Sequence, residues 1–232
     1  MAKFSIKKLL ILVTVLAVPG FLYYLLTEKG KNRYRPLGIF GEKKVASTFH
    51  LKRGVKIPDT IYHQISDFKL INQNRDSVGL PADTAQITIV NFFFTKCTSV
   101  CPQMNAQLAK VVDAYKGNRL VKFYSISVDP ESDSPEVLAK YAASYKADAK
   151  KWNFLTGNKD LIFKLAKKDF LVDAMPDTIS KGNIIHSPMF ILVDPKKRIR
   201  GYYDSTNQEQ VDKLVDEVKV QIAEELRQVT DR

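Results

Sequence analysis

Residues 87–102 read ITIVNFFFTKCTSVCP. Seven of the first eight, all except Asn91, are β-branched or aromatic, and the run is nearly all apolar, which is typical of a strand buried on both faces. The next eight carry the two cysteines of the chain, Cys97 and Cys101, followed by Pro102. A proline suits the first turn of a helix, because the N–H group that it lacks has no helical partner there. The stretch therefore predicts a buried strand, a cysteine-bearing turn and a helix over about 99–115.

Downstream of this stretch, short apolar strands alternate with amphipathic helices. The predicted strands lie at 121–128, 152–155, 189–193 and 198–203. The first of three predicted helices begins at Pro135, is capped by Ser134 and ends at about Tyr145, and the second covers 158–168. The third begins after a capping box formed by Thr206 and Glu209 and continues into the C-terminal region. Upstream, residues 66–80 read as a hairpin, and residues 169–187 read as an inserted loop or hairpin before His186. Buried strands joined by crossover helices indicate right-handed parallel units. We therefore expect an α/β, thioredoxin-like fold with an N-terminal hairpin, preceded by one transmembrane helix.

The N-terminal region begins with an uncharged run at 9–26, LLILVTVLAVPGFLYYLL, whose 18 residues are about enough to cross a bilayer as a helix. A cleaved signal peptide is the alternative, but a small-residue cleavage site is not evident, so we expect a retained anchor. The expected organisation is an anchor at 1–28, a basic linker at 29–58 and a thioredoxin-like body, which carries both cysteines, at 59–232. The linker either rests on anionic lipid head groups or is simply solvated.

The formal net charge of +11 is concentrated in the N-terminal region. Residues 1–56 carry twelve Lys and Arg against two acids, whereas residues 57–232 carry twenty-four against twenty-three. The body is thus close to neutral, so we expect no nucleic-acid partner. More positive charges follow the apolar run than precede it, which by the positive-inside rule would leave the body in the cytoplasm. The thiol chemistry described next favours the opposite orientation.

Cys97 and Cys101 are too few for a disulfide-stapled scaffold and lie where α/β sheets place their sites, at the carboxyl end of a strand. With three residues between them, the two thiols can bind one soft metal ion or close a disulfide. In the first helical turn, free N–H groups and the helix dipole would favour the thiolate form of Cys101.

His186 stands before the strand predicted at 189, next to Ser187 and Pro188. In a thioredoxin-like layout this loop packs beside the cysteine-bearing helix start, and a cis bond at Pro188 would hold it against the thiols. Two thiolates and one imidazole suit Cu(I), or Cu(II) with a further ligand, whereas structural zinc takes four protein ligands. The alternative is that His186 is a hydrogen-bonded loop residue without a metal.

Asp129 ends the strand predicted at 121–128, in the segment SVDPE, and faces the same edge of the sheet as the cysteines. It is a candidate to orient a metal ligand through a hydrogen bond. The alternative is a turn-forming Asp-Pro pair.

Three segments together resemble the SCO/SenC family of copper chaperones for cytochrome c oxidase: FFFTKCTSVCPQM at 92–104, SISVDPESDSPEVL at 125–138 and HSPMFILVDP at 186–195. The resemblance implies that Cys97, Cys101 and His186 bind one copper ion and that Asp129 lies near it. It also implies delivery of copper to the binuclear site of oxidase subunit II, or reduction of the thiols there. The implied location is the bacterial inner membrane, with the body facing the periplasm or the outside.

Two other functions fit the same residues. One is a thiol-disulfide oxidoreductase, which needs only the two cysteines, Cys97 and Cys101. The other is a redox or copper sensor that signals through a partner. Metal delivery itself is not an enzymatic activity, and reductase activity stays open.

Overall fold

The computed structural model describes residues 6–30, 36–52, 54–80, 86–176 and 184–230. The chain divides into two compact units, Met1–Pro36 and Leu37–Arg232.

The first unit contains helix α1 (Ile6–Gly30), which has Pro19 inside it. Its stretch Ile6–Tyr24, 19 residues long, is the one segment among the described residues that is long and apolar enough to cross a membrane. This test uses length and composition only, and a signal sequence near the N-terminus also passes it.

The second unit is built on short strands and four further helices within the described residues. The strands are β1 (Lys43–Lys52), β2 (Val55–Tyr62), β3 (Leu70–Asn72), β4 (Ser77–Val78), β5 (Ile87–Phe93), β6 (Val121–Ser127), β7 (Trp152–Thr156), β8 (Ala174–Pro176), β9 (Ile184–His186), β10 (Met189–Val193) and β11 (Ile199–Asp204). The helices are α2 (Val100–Ala114), α3 (Pro135–Ser144), α4 (Lys159–Lys164) and α5 (Gln208–Thr230).

A seven-stranded sheet in the order β11-β10-β5-β6-β7-β3-β4 forms the centre of this unit. Strands β5, β6 and β7 are parallel, and β10, β11, β3 and β4 extend the sheet in antiparallel pairing. All seven residues of β5 are buried, because neighbouring strands and the helices leave neither face to water. The predicted strands, crossover helices, early hairpin at 66–80 and closing hairpin are confirmed.

The helices begin close to the predicted residues, but one of the two predicted helix caps is wrong. The Ser134 hydroxyl caps α3 by accepting a bond from Val137 N–H, as expected. The capping box at Thr206 and Glu209 is wrong, because the Thr206 hydroxyl donates to the Asp204 carboxylate at 2.6 Å. The side chain of Asn207 takes its place and accepts the Glu209 N–H at 2.9 Å.

The helix predicted at 158–168 is α4 followed by a π-helical turn, Leu165–Asp169. The wider turn places Asp169 where its carboxylate accepts Ser66 N–H and its carbonyl lies 2.7 Å from the Nε2 atom of His63. These contacts tie the helix to the chain segment that enters the sheet.

The inserted segment before His186 contains a hairpin, in which β8 pairs antiparallel with β9. Residues 177–183, between the two strands, lie outside the described part of the chain. The expectation of a cis bond at Pro188 is wrong, since the described residues contain no cis peptide.

A further hairpin, β1–β2, was not predicted. It occupies most of the stretch that the sequence analysis treated as a linker. Gly54, at its turn, has a φ of +81°, a conformation that glycine adopts without strain.

Candidate metal and thiol centre

The two cysteines lie on either side of the start of α2, as predicted. Strand β5 ends at Phe93, and Cys97 sits in the short loop that follows, with its N–H bonded to the Phe94 carbonyl. Cys101 is the second residue of α2, and Pro102 follows it in the first turn. The strand–loop–helix junction thus brings both sulfurs to one turn of the chain.

The Cys97 sulfur acts as the cap of this helix. The Cys101 N–H points at the Cys97 Sγ atom, 3.4 Å away, and the Ser99 hydroxyl is 3.5 Å from the same sulfur. Both residues are thiols rather than a disulfide. Cys101 is completely buried and Cys97 is 8% exposed, so a reagent or a metal ion meets Cys97 first.

The two thiols have opposite pKa shifts. Burial by itself would raise the pKa of Cys97, but hydrogen bonds from Cys101 and Ser99 to its sulfur outweigh burial and leave the pKa below the usual thiol value. Burial raises the pKa of Cys101, and hydrogen bonding to Cys97 and the negative charge of Asp133 raise it further. The expectation that the helix start favours a Cys101 thiolate is therefore wrong, because the helix-start N–H serves the sulfur of Cys97 instead.

Asp133 is a fully buried carboxylate that holds the cysteine loop in place. It accepts the Thr95 N–H at 3.1 Å and also accepts the hydroxyl groups of Thr95 and Ser127. It therefore joins the loop that bears Cys97 to the end of β6. Asp133 was not predicted, although a second aspartate four residues after Asp129 was a usable signal.

Asp129 lies at the end of β6, as predicted, and is half-buried. The hydrogen bonds that it makes here are backbone bonds: its N–H donates to the Ser127 hydroxyl, and its carbonyl accepts the N–H groups of Ser132 and Asp133. These bonds shape the turn that positions Asp133. A role of the Asp129 carboxylate toward a metal ligand stays a prediction.

The backbone of His186 ends strand β9, opposite Ala174. The chain then passes through Pro188 into β10, which pairs antiparallel with β5. In this pairing Ile191 lies opposite Val90, so β10 begins at the end of β5 that leads into the cysteine loop. The topology thus brings the chain just after His186 to the cysteine-bearing edge of the sheet.

The His186 imidazole lies outside the described side chains, and among those that are described no group of three His, Cys, Asp or Glu residues is close enough to hold a metal. The other two histidines of the chain have partners elsewhere. His63 Nε2 bonds to the Asp169 carbonyl, and His50 Nδ1 bonds to the Asp59 carboxylate. His186 is therefore the imidazole whose chain segment reaches the cysteine edge.

Comparison with known proteins shows the family of this chain. The model of the SCO1/SenC family matches residues 59–223, which include both cysteines and His186. This chain belongs to the SCO1/SenC family. A SCO1 protein homolog of Bacillus subtilis is 30% identical over 169 residues, which cover 72% of this chain and 86% of that protein.

Solved structures of SCO1/SenC relatives share the fold. Arabidopsis thaliana ScoI, solved with copper bound, is 29% identical with a TM-score of 0.56, covering 70% of this chain and 98% of that one. BsSco, described as a cytochrome c oxidase assembly protein with a disulfide switch, is 30% identical with a TM-score of 0.58, covering 68% and 93%. The expected fold class of the body is thus confirmed.

A buried polar chain behind Cys101 was also missed by the sequence analysis. The indole N–H of Trp152 donates to the Ser125 hydroxyl, which donates to the side-chain carbonyl of Asn91. Asn91 in turn donates to Asn105, whose amide donates to the Tyr141 hydroxyl at 3.0 Å. These hydrogen-bonded side chains hold α2 and α3 against the sheet beneath the thiols.

Proposed function

We propose that this protein takes one copper ion as cargo on Cys97, Cys101 and His186 and assists the assembly of the binuclear copper site in subunit II of cytochrome c oxidase. The observation that carries the proposal is the pair of thiols at one turn, with the Cys101 N–H 3.4 Å from the Cys97 sulfur. The copper-bound and oxidase-assembly relatives support the choice of cargo and recipient.

The donor set fits copper better than structural zinc. Two thiolates and an imidazole are soft or borderline donors that suit copper at low coordination number, whereas structural zinc takes four protein ligands. The chain supplies two cysteines and three histidines in all, and two of the histidines bond elsewhere. Copper is therefore the cargo that the available donors fit.

The opposite pKa shifts give the two thiols different parts in metal uptake. The Cys97 sulfur is the more readily ionised and the more exposed, so we infer that it makes the first contact with the ion. Cys101 is protonated at neutral pH and must lose its proton to ligate a metal. Copper uptake at neutral pH therefore releases a proton, and affinity falls as the pH falls.

Thiol-disulfide exchange is the second candidate, favoured by the same asymmetry. The Cys97 thiolate would attack a disulfide of a partner, forming a mixed disulfide and releasing one partner thiolate. Deprotonated Cys101 would then attack the Cys97 sulfur, which closes the Cys97–Cys101 disulfide and frees the second partner thiolate. Two electrons pass from this chain to the partner, and His186 takes no part.

We propose that α1 is a retained single-pass anchor in the bacterial inner membrane and that the body lies outside the cytoplasm, an orientation that the thiol chemistry favours. Protease treatment of intact spheroplasts tests this orientation. Digestion of the body without lysis agrees with it, and protection of the body until lysis would place it in the cytoplasm, as the positive-inside rule implies.

Copper titration of the reduced full-length chain in mild detergent tests the cargo. We expect one tightly held Cu(I) in the parent chain and in the control His50→Ala, and loss of tight binding in Cys97→Ser, Cys101→Ser and His186→Ala. A His186→Ala variant that holds copper as tightly as the parent, while reducing a disulfide at full rate, supports the exchange function instead.

Deletion of the gene tests the recipient. We expect cytochrome c oxidase with too little copper in subunit II when copper is scarce. Intact oxidase with altered gene expression would favour the sensor.

A further inference from the structure

Among the described residues, the backbone hydrogen bonds that join the β1–β2 hairpin to the body lie at the base of the hairpin. Its two strands pair with each other in a separate two-stranded sheet. At the base, Phe40 N–H donates to the Ile199 carbonyl and Ile65 N–H donates to the Lys197 carbonyl, both at 2.9 Å. The His63 N–H donates to the Glu42 carbonyl and so joins the two ends of the hairpin. The hairpin therefore has a set direction from the body.

The strand register places two lysines and three exposed apolar side chains on one face of the hairpin, and Lys44, Lys52, Val55 and Ile61 on the other. Lys43 pairs with Tyr62, Phe49 with Pro58 and Leu51 with Lys56, and alternate residues of a strand share a face. We call the basic-apolar face the surface formed by Lys43, Val45, Phe49, Leu51 and Lys56. The Lys56 ammonium lies 4.5 Å from the centre of the Phe49 ring, which confirms that these side chains share the face.

The apolar side chains of this face are open to solvent. Val45 is 78%, Phe49 is 51% and Leu51 is 67% exposed. A two-stranded hairpin gains little stability by itself, and grouped exposed apolar side chains rimmed by charge mark an interaction surface. We therefore expect the basic-apolar face to be covered by a binding partner.

Charge indicates which partner covers it. The basic-apolar face carries Lys43 and Lys56 and no acid, whereas the opposite face carries Lys44 and Lys52 together with Asp59, the one acid of residues 43–62. The Asp59 carboxylate is engaged by His50, and the register places His50 on the opposite face. Lysines beside exposed aromatic and aliphatic groups are the pattern by which a segment lies in the head-group layer of an anionic bilayer.

The segment between α1 and the hairpin is short enough for the hairpin to reach a membrane that holds α1. Lys43 follows the last residue of α1, Gly30, by 13 positions. At a maximum of roughly 3.3–3.6 Å per residue, the hairpin begins within about 45 Å of the end of α1.

We propose that the basic-apolar face of the hairpin rests in the head-group layer of the anionic membrane that holds α1. This rests on the anchor in the proposed function and is independent of copper binding. Because the base of the hairpin is bonded to the body, this contact sets the height and orientation of the thiol centre above the membrane.

Tryptophan quenching in vesicles tests the proposal with the full-length chain. Phe49→Trp places an indole on the basic-apolar face, and Val55→Trp, at a site that is 63% exposed, places one on the opposite face as the matched control. The native Trp152, which is buried, supplies the background measured in the parent chain. Brominated lipid quenches an indole that enters the bilayer surface.

In phosphatidylglycerol vesicles we expect the Phe49→Trp indole to be quenched at least twice as strongly as the Val55→Trp indole. Pure phosphatidylcholine, or a Lys43→Gln and Lys56→Gln double change, should remove most of that difference. Equal quenching at the two sites, in a chain that still floats with the vesicles, overturns the hairpin proposal and leaves the anchor intact.

Two other outcomes also overturn the hairpin proposal. A chain that does not float with the vesicles removes the anchor as well. In the second outcome, brominated lipid does not quench the Phe49→Trp indole, but added purified oxidase protects that indole from quenching by acrylamide. This result identifies a protein as the partner of the basic-apolar face.

Discussion

Replacing Asp133 by alanine removes the buried carboxylate that holds the cysteine loop. The carboxylate accepts three hydrogen bonds, and a bond to a charged group contributes about 1.5–3 kcal/mol. The Thr95 and Ser127 hydroxyls can turn to other acceptors, but the Thr95 N–H cannot, and a buried N–H without a partner costs about 1–3 kcal/mol. Removing a buried charge returns part of this loss. We expect the free energy of unfolding to fall by about 3 kcal/mol.

Denaturant unfolding of the reduced chain in mild detergent measures this loss. Trp152 is the single tryptophan of the chain and is 1% exposed, so its fluorescence reports unfolding of the body. Asp129→Ala is the matched control, because alanine keeps the backbone bonds that Asp129 makes, and it should cost less than about 1 kcal/mol. The reasoning is refuted if Asp133→Ala costs no more than Asp129→Ala.

Two further predictions concern the thiols and the polar chain beneath them. Iodoacetamide at neutral pH should modify Cys97 before Cys101, because the pKa of Cys97 is lowered and the pKa of Cys101 is raised; peptide mass spectrometry checks this, and equal rates would contradict it. Ser125→Ala should lower the free energy of unfolding by about 2 kcal/mol, because it leaves the buried Trp152 N–H without an acceptor. The exposed control Ser144→Ala should change it by less than about 0.5 kcal/mol, and similar losses in the two variants would show that the polar chain contributes little.

The central sheet could be predicted because its strands are defined by local composition. The strand at 87–93 is apolar at most positions. The start of the helix at 135–144 is marked in the sequence by the capping residue Ser134 and the proline that follows it. These signals lie within a few residues and need no knowledge of distant neighbours. The C-terminal helix was found by its periodicity, but its cap was misplaced, because the Asp204 carboxylate competes for Thr206.

The β1–β2 hairpin was missed because its basic composition was interpreted as a linker. Its turn signal, Arg-Gly at 53–54 between alternating apolar residues, was present in the sequence. The positions of the cysteines were predictable from the strand–turn–helix pattern. Their protonation was not, because it depends on burial of Cys101 and on the charge of Asp133, which only the folded chain brings together.

The thioredoxin-like body and its family follow from short motifs, whereas the proposed ligand set includes His186, which is 85 positions beyond Cys101 in the numbering. Pairing of β10 with β5 explains how the chain just after His186 returns to the cysteine-bearing edge of the sheet. A pattern within one segment cannot supply such a return, because sheet pairing at long range decides it.

X-ray absorption at the copper edge tests the ligand set most directly. In the reduced, copper-loaded full-length chain we predict two sulfur neighbours and one imidazole nitrogen for each copper ion. In samples loaded at protein and copper concentrations high enough to fill the weaker variants, His186→Ala should lack the nitrogen and Cys101→Ser should lack one sulfur. A copper environment that is the same with and without the His186 imidazole would contradict the account.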